Sequence, residues 1–133
     1  MMKPLNITAT KDTPDVAFNP KTNEFTIGGV CHPENVTYFF EPIIKWLDSY
    51  KEELEKAKVS KEIRVELFFR YINSASYKYL ITLLFKLHEY IEMGIPVSID
   101  WLYEPDDYDM RDAGVELIEY SGIKLPFTCR ASI

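Results

Sequence analysis

Three polar side chains at one joint, Asn73, Ser74 and Ser76, carry the most chemical promise in this sequence. They follow directly on the run Ile63 to Ile72, which begins by alternating and becomes almost wholly apolar, as a buried central strand does. Beyond them Tyr77, Leu80, Ile81, Leu84, Leu87 and Ile91 recur at helical spacing, and Gly94 supplies a C-terminal stop. A hydroxyl at such a joint sits among unpaired N–H groups and the positive end of a helix dipole, a favourable place for a phosphate. Phosphorylation there would add roughly −1.5 to −2 charges at neutral pH. The plainer role is capping: Asn and Ser are both good N-caps, each worth ~1 kcal/mol. The residues alone therefore nominate the segment and not which hydroxyl in it.

The elements that must hold this joint are readable. Ile7 to Thr10 and Asp15 to Phe18 are candidate strands, and Asn19-Pro20-Lys21-Thr22-Asn23 is a hairpin loop. Glu24 to Ile27 alternates and then meets Gly28-Gly29. His32-Pro33-Glu34-Asn35 opens a helix, with Asn35 or a neighbour as cap and Glu34 at the positive end of the dipole. Phe39, Ile43, Trp46, Leu47, Tyr50 and Leu54 form its apolar stripe, and Pro42 predicts a kink or a late start. After the Ser74 helix come a strand over Pro96 to Tyr103, a helix faced by Met110, Ala113, Gly114, Leu117 and Ile118, and a short strand from Phe127 to Arg130, closed by Ala131. Strands alternate with helices from the first helix onward. The expected fold is α/β, one domain over residues 1–133, with a mixed, largely parallel sheet, an antiparallel N-terminal edge and about three helices.

Composition excludes several classes of function. A net charge of −6 disfavours nucleic acid and anionic membranes, and suits a basic protein partner. No run approaches the ~18 apolar residues of a membrane span, and the N-terminus lacks the apolar core of a leader, so the cytoplasm is expected. Cys31 and Cys129 form no C-x-x-C pair, and a chain of 133 residues with nine Tyr, eight Phe and two Trp needs no disulfide. His32 beside Cys31 has no second ligand pair at metal spacing, and Asp106, Asp107 and Asp109 are read as a helix start, with magnesium binding a minor alternative. No cofactor is expected, because no segment makes a phosphate-cradling loop. A Ser-His-Asp enzyme would need a base and an oxyanion hole near Ser74, and the sequence indicates neither.

The run Phe69-Arg70-Tyr71-Ile72-Asn73-Ser74-Ala75-Ser76-Tyr77-Lys78 resembles the signature of the SiaC family of regulatory phosphoproteins. Further blocks share the likeness: Gly29-Val30-Cys31-His32-Pro33-Glu34-Asn35; then Phe40, Pro42, Ile43, Trp46 and Leu47; then Pro96 through Tyr103 with its Trp-x-Tyr ending. The resemblance implies a partner-switching protein of STAS-like architecture, similar to the anti-sigma-factor antagonists. It implies phosphorylation at Ser74 by a GHKL-type kinase and removal of the phosphate by a PP2C-type phosphatase. The unmodified form would bind and activate a diguanylate cyclase, raising cyclic di-GMP and promoting biofilm. Asn73, Ser76, Tyr77, Lys78, Pro33, Glu34 and Asn35 would then be the partner-binding residues. Two departures stand out: Ser74 replaces the usual Thr, and Cys31-His32 replaces Ser-Tyr.

Three functions follow from these readings: a regulatory phosphoprotein, an interaction module of the same fold without phosphorylation, and, least favoured, a small hydrolase or transferase. A homodimer through an edge strand or the aromatic first helix is a further expectation.

Overall fold

The computed structural model describes residues 2–133. Six strands form one sheet in chain order: β1 (Leu5–Ile7), β2 (Asp15–Asn19), β3 (Glu24–Cys31), β4 (Ile63–Ile72), β5 (Val97–Tyr103) and β6 (Phe127–Ala131). β1, β2 and β3 are antiparallel neighbours, and β3 to β6 run parallel. Three helices make the crossovers: α1 (Val36–Ala57), α2 (Ser74–Glu92) and α3 (Tyr108–Ser121). Because successive parallel strands are added in one direction, right-handed crossovers put all three helices on the same face of the sheet.

Burial agrees with this one-sided arrangement. Ile63, Val65, Leu67 and Phe69 of β4 are buried, whereas Arg64, Glu66 and Arg70 are exposed. Across the inner face Val16, Ile27, Leu67 and Trp101 lie in one row. Trp46 of α1 packs edge-on against Phe18 and Phe25, at centroid distances of 5.5 and 5.3 Å. The Tyr90 hydroxyl of α2 donates to the Leu47 carbonyl of α1 at 2.6 Å. At α3, a Cβ on Gly114 would come within 2.5 Å of the Trp101 ring, so only glycine lets this helix seat there. The Trp101 indole N–H donates to the Met110 carbonyl at 2.9 Å and completes that contact.

Three expectations are corrected. The first strand is Leu5–Ile7 and not Ile7 to Thr10, because Leu5 and Ile7 pair with Phe18 and Val16, the inward residues of β2. β3 runs on through Gly28-Gly29 to Cys31. Gly29 takes a φ of +112°, which the register shift at Gly29/Val30 demands. α1 starts at Val36, seven residues into which Pro42 is carried without delaying the helix. Cys31 and Cys129 lie on strands separated by two others, roughly 14 Å apart at the usual strand spacing. They are free thiols, too far apart for a disulfide.

Candidate functional site

The β4–α2 joint sits at the C-terminal edge of the parallel strands, beside the β3–α1 joint. The bulge at Gly29/Val30 brings them together: Gly29 pairs with Phe69, but Val30 pairs with Tyr71 and Cys31 with Ile72. The slip turns both Arg70 and Tyr71 outward, and aligns the Cys31 carbonyl to accept from the Asn73 N–H at 2.8 Å.

Asn73 is the N-cap of α2, extended at φ −76°, ψ 159°. Its side-chain oxygen accepts from the Ser76 N–H at 3.1 Å and also from the Ser76 hydroxyl. The Ser76 oxygen in turn accepts from the Cys31 thiol at 3.4 Å. Ser76 is 0% exposed, as is Cys31. Burial raises the Cys31 thiol above its ordinary pKa, and its hydrogen bond with Ser76 lowers it by less. Ser74, two residues earlier, is exposed as the first residue of the helix. Its N–H and that of Ala75 have no intrahelical acceptor, since the helix begins with them. The two hydroxyls that the sequence leaves equivalent are thus separated by the fold: one is sealed inside and the other opens to solvent.

The remaining candidates divide in the same way. Tyr77 is half-buried, its phenol pKa raised first by burial and then by the charge of Glu116, with Tyr71 and Cys31 adding to it. Lys78 is exposed, one turn after Ser74, its ammonium 5.5 Å from the Tyr79 ring centre. Glu34 and Asn35 are exposed, and Asn35 caps α1 by accepting from the Tyr38 N–H at 3.0 Å. Pro33 is buried. Pro33 and Ser76 are therefore the two buried members of the set. His32 is exposed, its ring edge-on to Tyr71 at 5.6 Å. His88 lies on α2, paired with Glu92 at 3.6 Å and remote from Ser74 in the helix.

Sequence reasoning misses two features here. One is the Cys31 thiol beneath the joint, which no motif announces. The other is Tyr79, whose hydroxyl bonds the Thr37 hydroxyl at 2.7 Å and whose ring stacks on Phe40 at 5.3 Å, tying α2 to α1. The 3.6-residue phase could reveal Ser76: it stands four residues before Leu80 and in step with Leu83, Leu84 and Leu87, all buried.

The joint thus presents an exposed helix-start hydroxyl on a one-sided α/β sheet, braced from below by Ser76 and Cys31. The chain belongs to the SiaC family of regulatory phosphoproteins, which it matches over residues 7–131. It is 25% identical over 130 residues to an uncharacterized protein of Pseudomonas aeruginosa, covering 98% of each chain. Its fold superposes on the crystal structure of apo-SiaC from Pseudomonas aeruginosa with a TM-score of 0.82 at 25% identity, covering 98% of this chain and 100% of that one. A TM-score of 0.84 at 25% identity, over 96% and 99% of the two chains, relates it to SiaC as crystallised with the diguanylate cyclase SiaD, which that SiaC activates.

Proposed function

We propose that this protein is a partner-switching regulator whose Ser74 is reversibly phosphorylated, by a GHKL-type kinase and a PP2C-type phosphatase, in the cytoplasm. Its unmodified form binds and activates a diguanylate cyclase. The observation that carries the reading is the contrast at one joint: Ser74 exposed at the first position of a 19-residue helix, Ser76 fully buried two residues on. A kinase can reach only the first of these hydroxyls without unfolding the turn.

The chemistry follows from the position. A phosphate on Ser74 meets the free N–H groups of the first turn and the positive end of the α2 dipole. Lys78, four residues on, faces the same side and can pair with it. The modified state is stabilised locally while the docking surface changes from neutral to nearly dianionic. A cyclase that buries this helix start against its own surface would have to desolvate that charge, which costs several kcal/mol. The switch thus needs no large rearrangement of the fold. Membership of the family and the complex formed by the Pseudomonas relative support the cyclase as the partner class. Charge also fits, since a chain at −6 is no ligand for nucleic acid.

Incubation with the kinase and ATP should add one phosphate by intact mass, removed by the phosphatase. Ser74→Ala should take up none, and Ser74→Asp should lose cyclase binding that Ser74→Ala keeps. Phosphate on the Ala variant would refute the site. Equal cyclase binding by wild type, Ser74→Ala and Ser74→Asp would instead favour an interaction module without a switch.

A further inference from the structure

One turn past Ser74, an apolar stripe opens on the surface. Tyr77, Ile81 and Phe85 follow at four-residue steps along α2, and Phe85 is 45% exposed. Across from them stand Ala113, Leu117 and Tyr120 of α3, also at helical spacing, with Tyr120 83% exposed. Tyr77 and Ile81 of α2 and these three α3 residues line a groove of about 670 Å³. The two charged residues that line it, Glu116 and Glu119, are both acidic. The lysine of α2 nearest in sequence to Phe85, Lys86, is turned toward α1, where it meets Asp48 at 2.9 Å.

We infer that this α2–α3 groove is the docking site for an amphipathic helix of a partner protein, apolar on the face that enters the groove and basic along the flank that meets Glu116 and Glu119. The inference rests on the reading above for the switch at its head, and adds to it the chemistry of what docks. Two parallel ridges of apolar side chains leave between them the furrow into which a third helix packs. The exposed aromatic rings are of the kind that anchor interfaces. The acid on one wall fixes the sign of the partner's flank, and the net charge of −6 steers it in the same direction. Ser74 shares the α2 face of Tyr77. A partner residue seated on Tyr77 would strip water from a phosphate on Ser74, a larger penalty than the screened attraction of a nearby basic group can offset.

The test uses the full chain and a phage-displayed library of helices about four turns long, the length of α3, with a fixed leucine stripe and randomised flanking positions. Selection should enrich Lys and Arg on one flank. The enriched peptide should lose about tenfold in affinity to Tyr120→Ala, a ring so exposed that its removal leaves the fold intact. Glu116→Lys with Glu119→Lys should weaken it further and shift a repeated selection toward acidic flanks. Thermal unfolding of each variant checks that it folds. The inference is overturned if no helix is enriched, if the enriched flanks carry no excess of basic residues, or if the Glu-to-Lys pair binds the peptide as well as wild type. A failure of phosphorylation shows in the mass assay, while peptide binding by the unmodified chain is read separately, so the two can fail apart.

Discussion

The two helix starts at the sheet edge, β3–Asn35–α1 and β4–Asn73–α2, are built on one plan and present different side chains. Each follows a parallel strand and each is capped by an Asn side chain that accepts from the N–H three residues on. At α1 the cap is exposed, Val36 takes the first helical position, and Pro33 fills the space before it. At α2 the first position is Ser74, and the cap is held from beneath by Ser76 and Cys31. A cap alone starts a helix; a cap locked from behind holds an adjacent hydroxyl in a fixed outward position. The difference leaves the α2 start presenting an exposed hydroxyl, Ser74, where the α1 start presents Val36.

The largest effect that would separate the two starts is all-or-none. Thr37, near the α1 start, is exposed but bonded to Tyr79. Thr37→Ala should take up phosphate at the wild-type level, while Ser74→Ala takes up none, both by intact mass. Phosphate lost in Thr37→Ala and kept in Ser74→Ala would reverse the roles of the two starts.

Next in size is stability. Asn73→Ala removes a cap and also strands the buried Ser76 hydroxyl and the thiol behind it, so it should cost about 2–3 kcal/mol. Asn35→Ala removes an exposed cap only and should cost about 1 kcal/mol. Urea denaturation measures both. Equal losses would mean that the buried layer adds nothing to the cap.

How much of this was readable in advance follows the strength of the local signal. The strand Ile63–Ile72 and the helix start at Ser74 coincide with the expected positions, because alternation gives way abruptly to helical spacing and an Asn marks the change. The alternation of strands and helices likewise implies the parallel sheet. β1 was misplaced because a three-residue edge strand takes its register from its neighbour, a long-range contact. The continuation of β3 through two glycines was hidden for a similar reason: paired glycines read locally as a turn, and only the bulge against β4 shows why they are needed. The joint itself was legible and its inner layer was not. Cys31 and Ser76 are 45 residues apart, and nothing in either neighbourhood foretells that they meet.

A smaller effect distinguishes the starts by pH. Behind α2 lies an ionisable thiol whose pKa burial raises, and Tyr77 beside it is raised as well. A group held neutral in the folded state contributes its full stability below its unfolded pKa, about 8.5 for Cys and 10 for Tyr. That stability is lost as pH rises above those values toward the folded ones. Stability should therefore hold from neutral pH to about 8 and fall beyond it. Tyr50 and Tyr90, also raised, contribute to the fall above pH 10. Cys129, its pKa also raised by burial, shares the earliest part of the decline, so Cys31→Ser should reduce its slope without abolishing it, seen as urea midpoints followed across pH. An unchanged slope between about pH 8 and 10 would show that the Cys31 thiol ionises as freely in the folded protein as in the unfolded one.

The smallest effect tests what one exposed hydrogen bond adds to the coupling of the two starts. The Thr37–Tyr79 hydrogen bond at 2.7 Å is one of their side-chain links, and it lies at an exposed site. Water can replace either partner there, so Tyr79→Phe, which keeps the stack on Phe40, should cost only about 0.5 kcal/mol. Thr37→Ala should cost a similar amount, and the double variant little more than either alone, because the second change removes a bond already gone. Costs that simply add would mean that the hydroxyls contribute separately through solvent. In that case the stacked rings of Phe40 and Tyr79, and not the hydrogen bond, hold the α1 start against the α2 start.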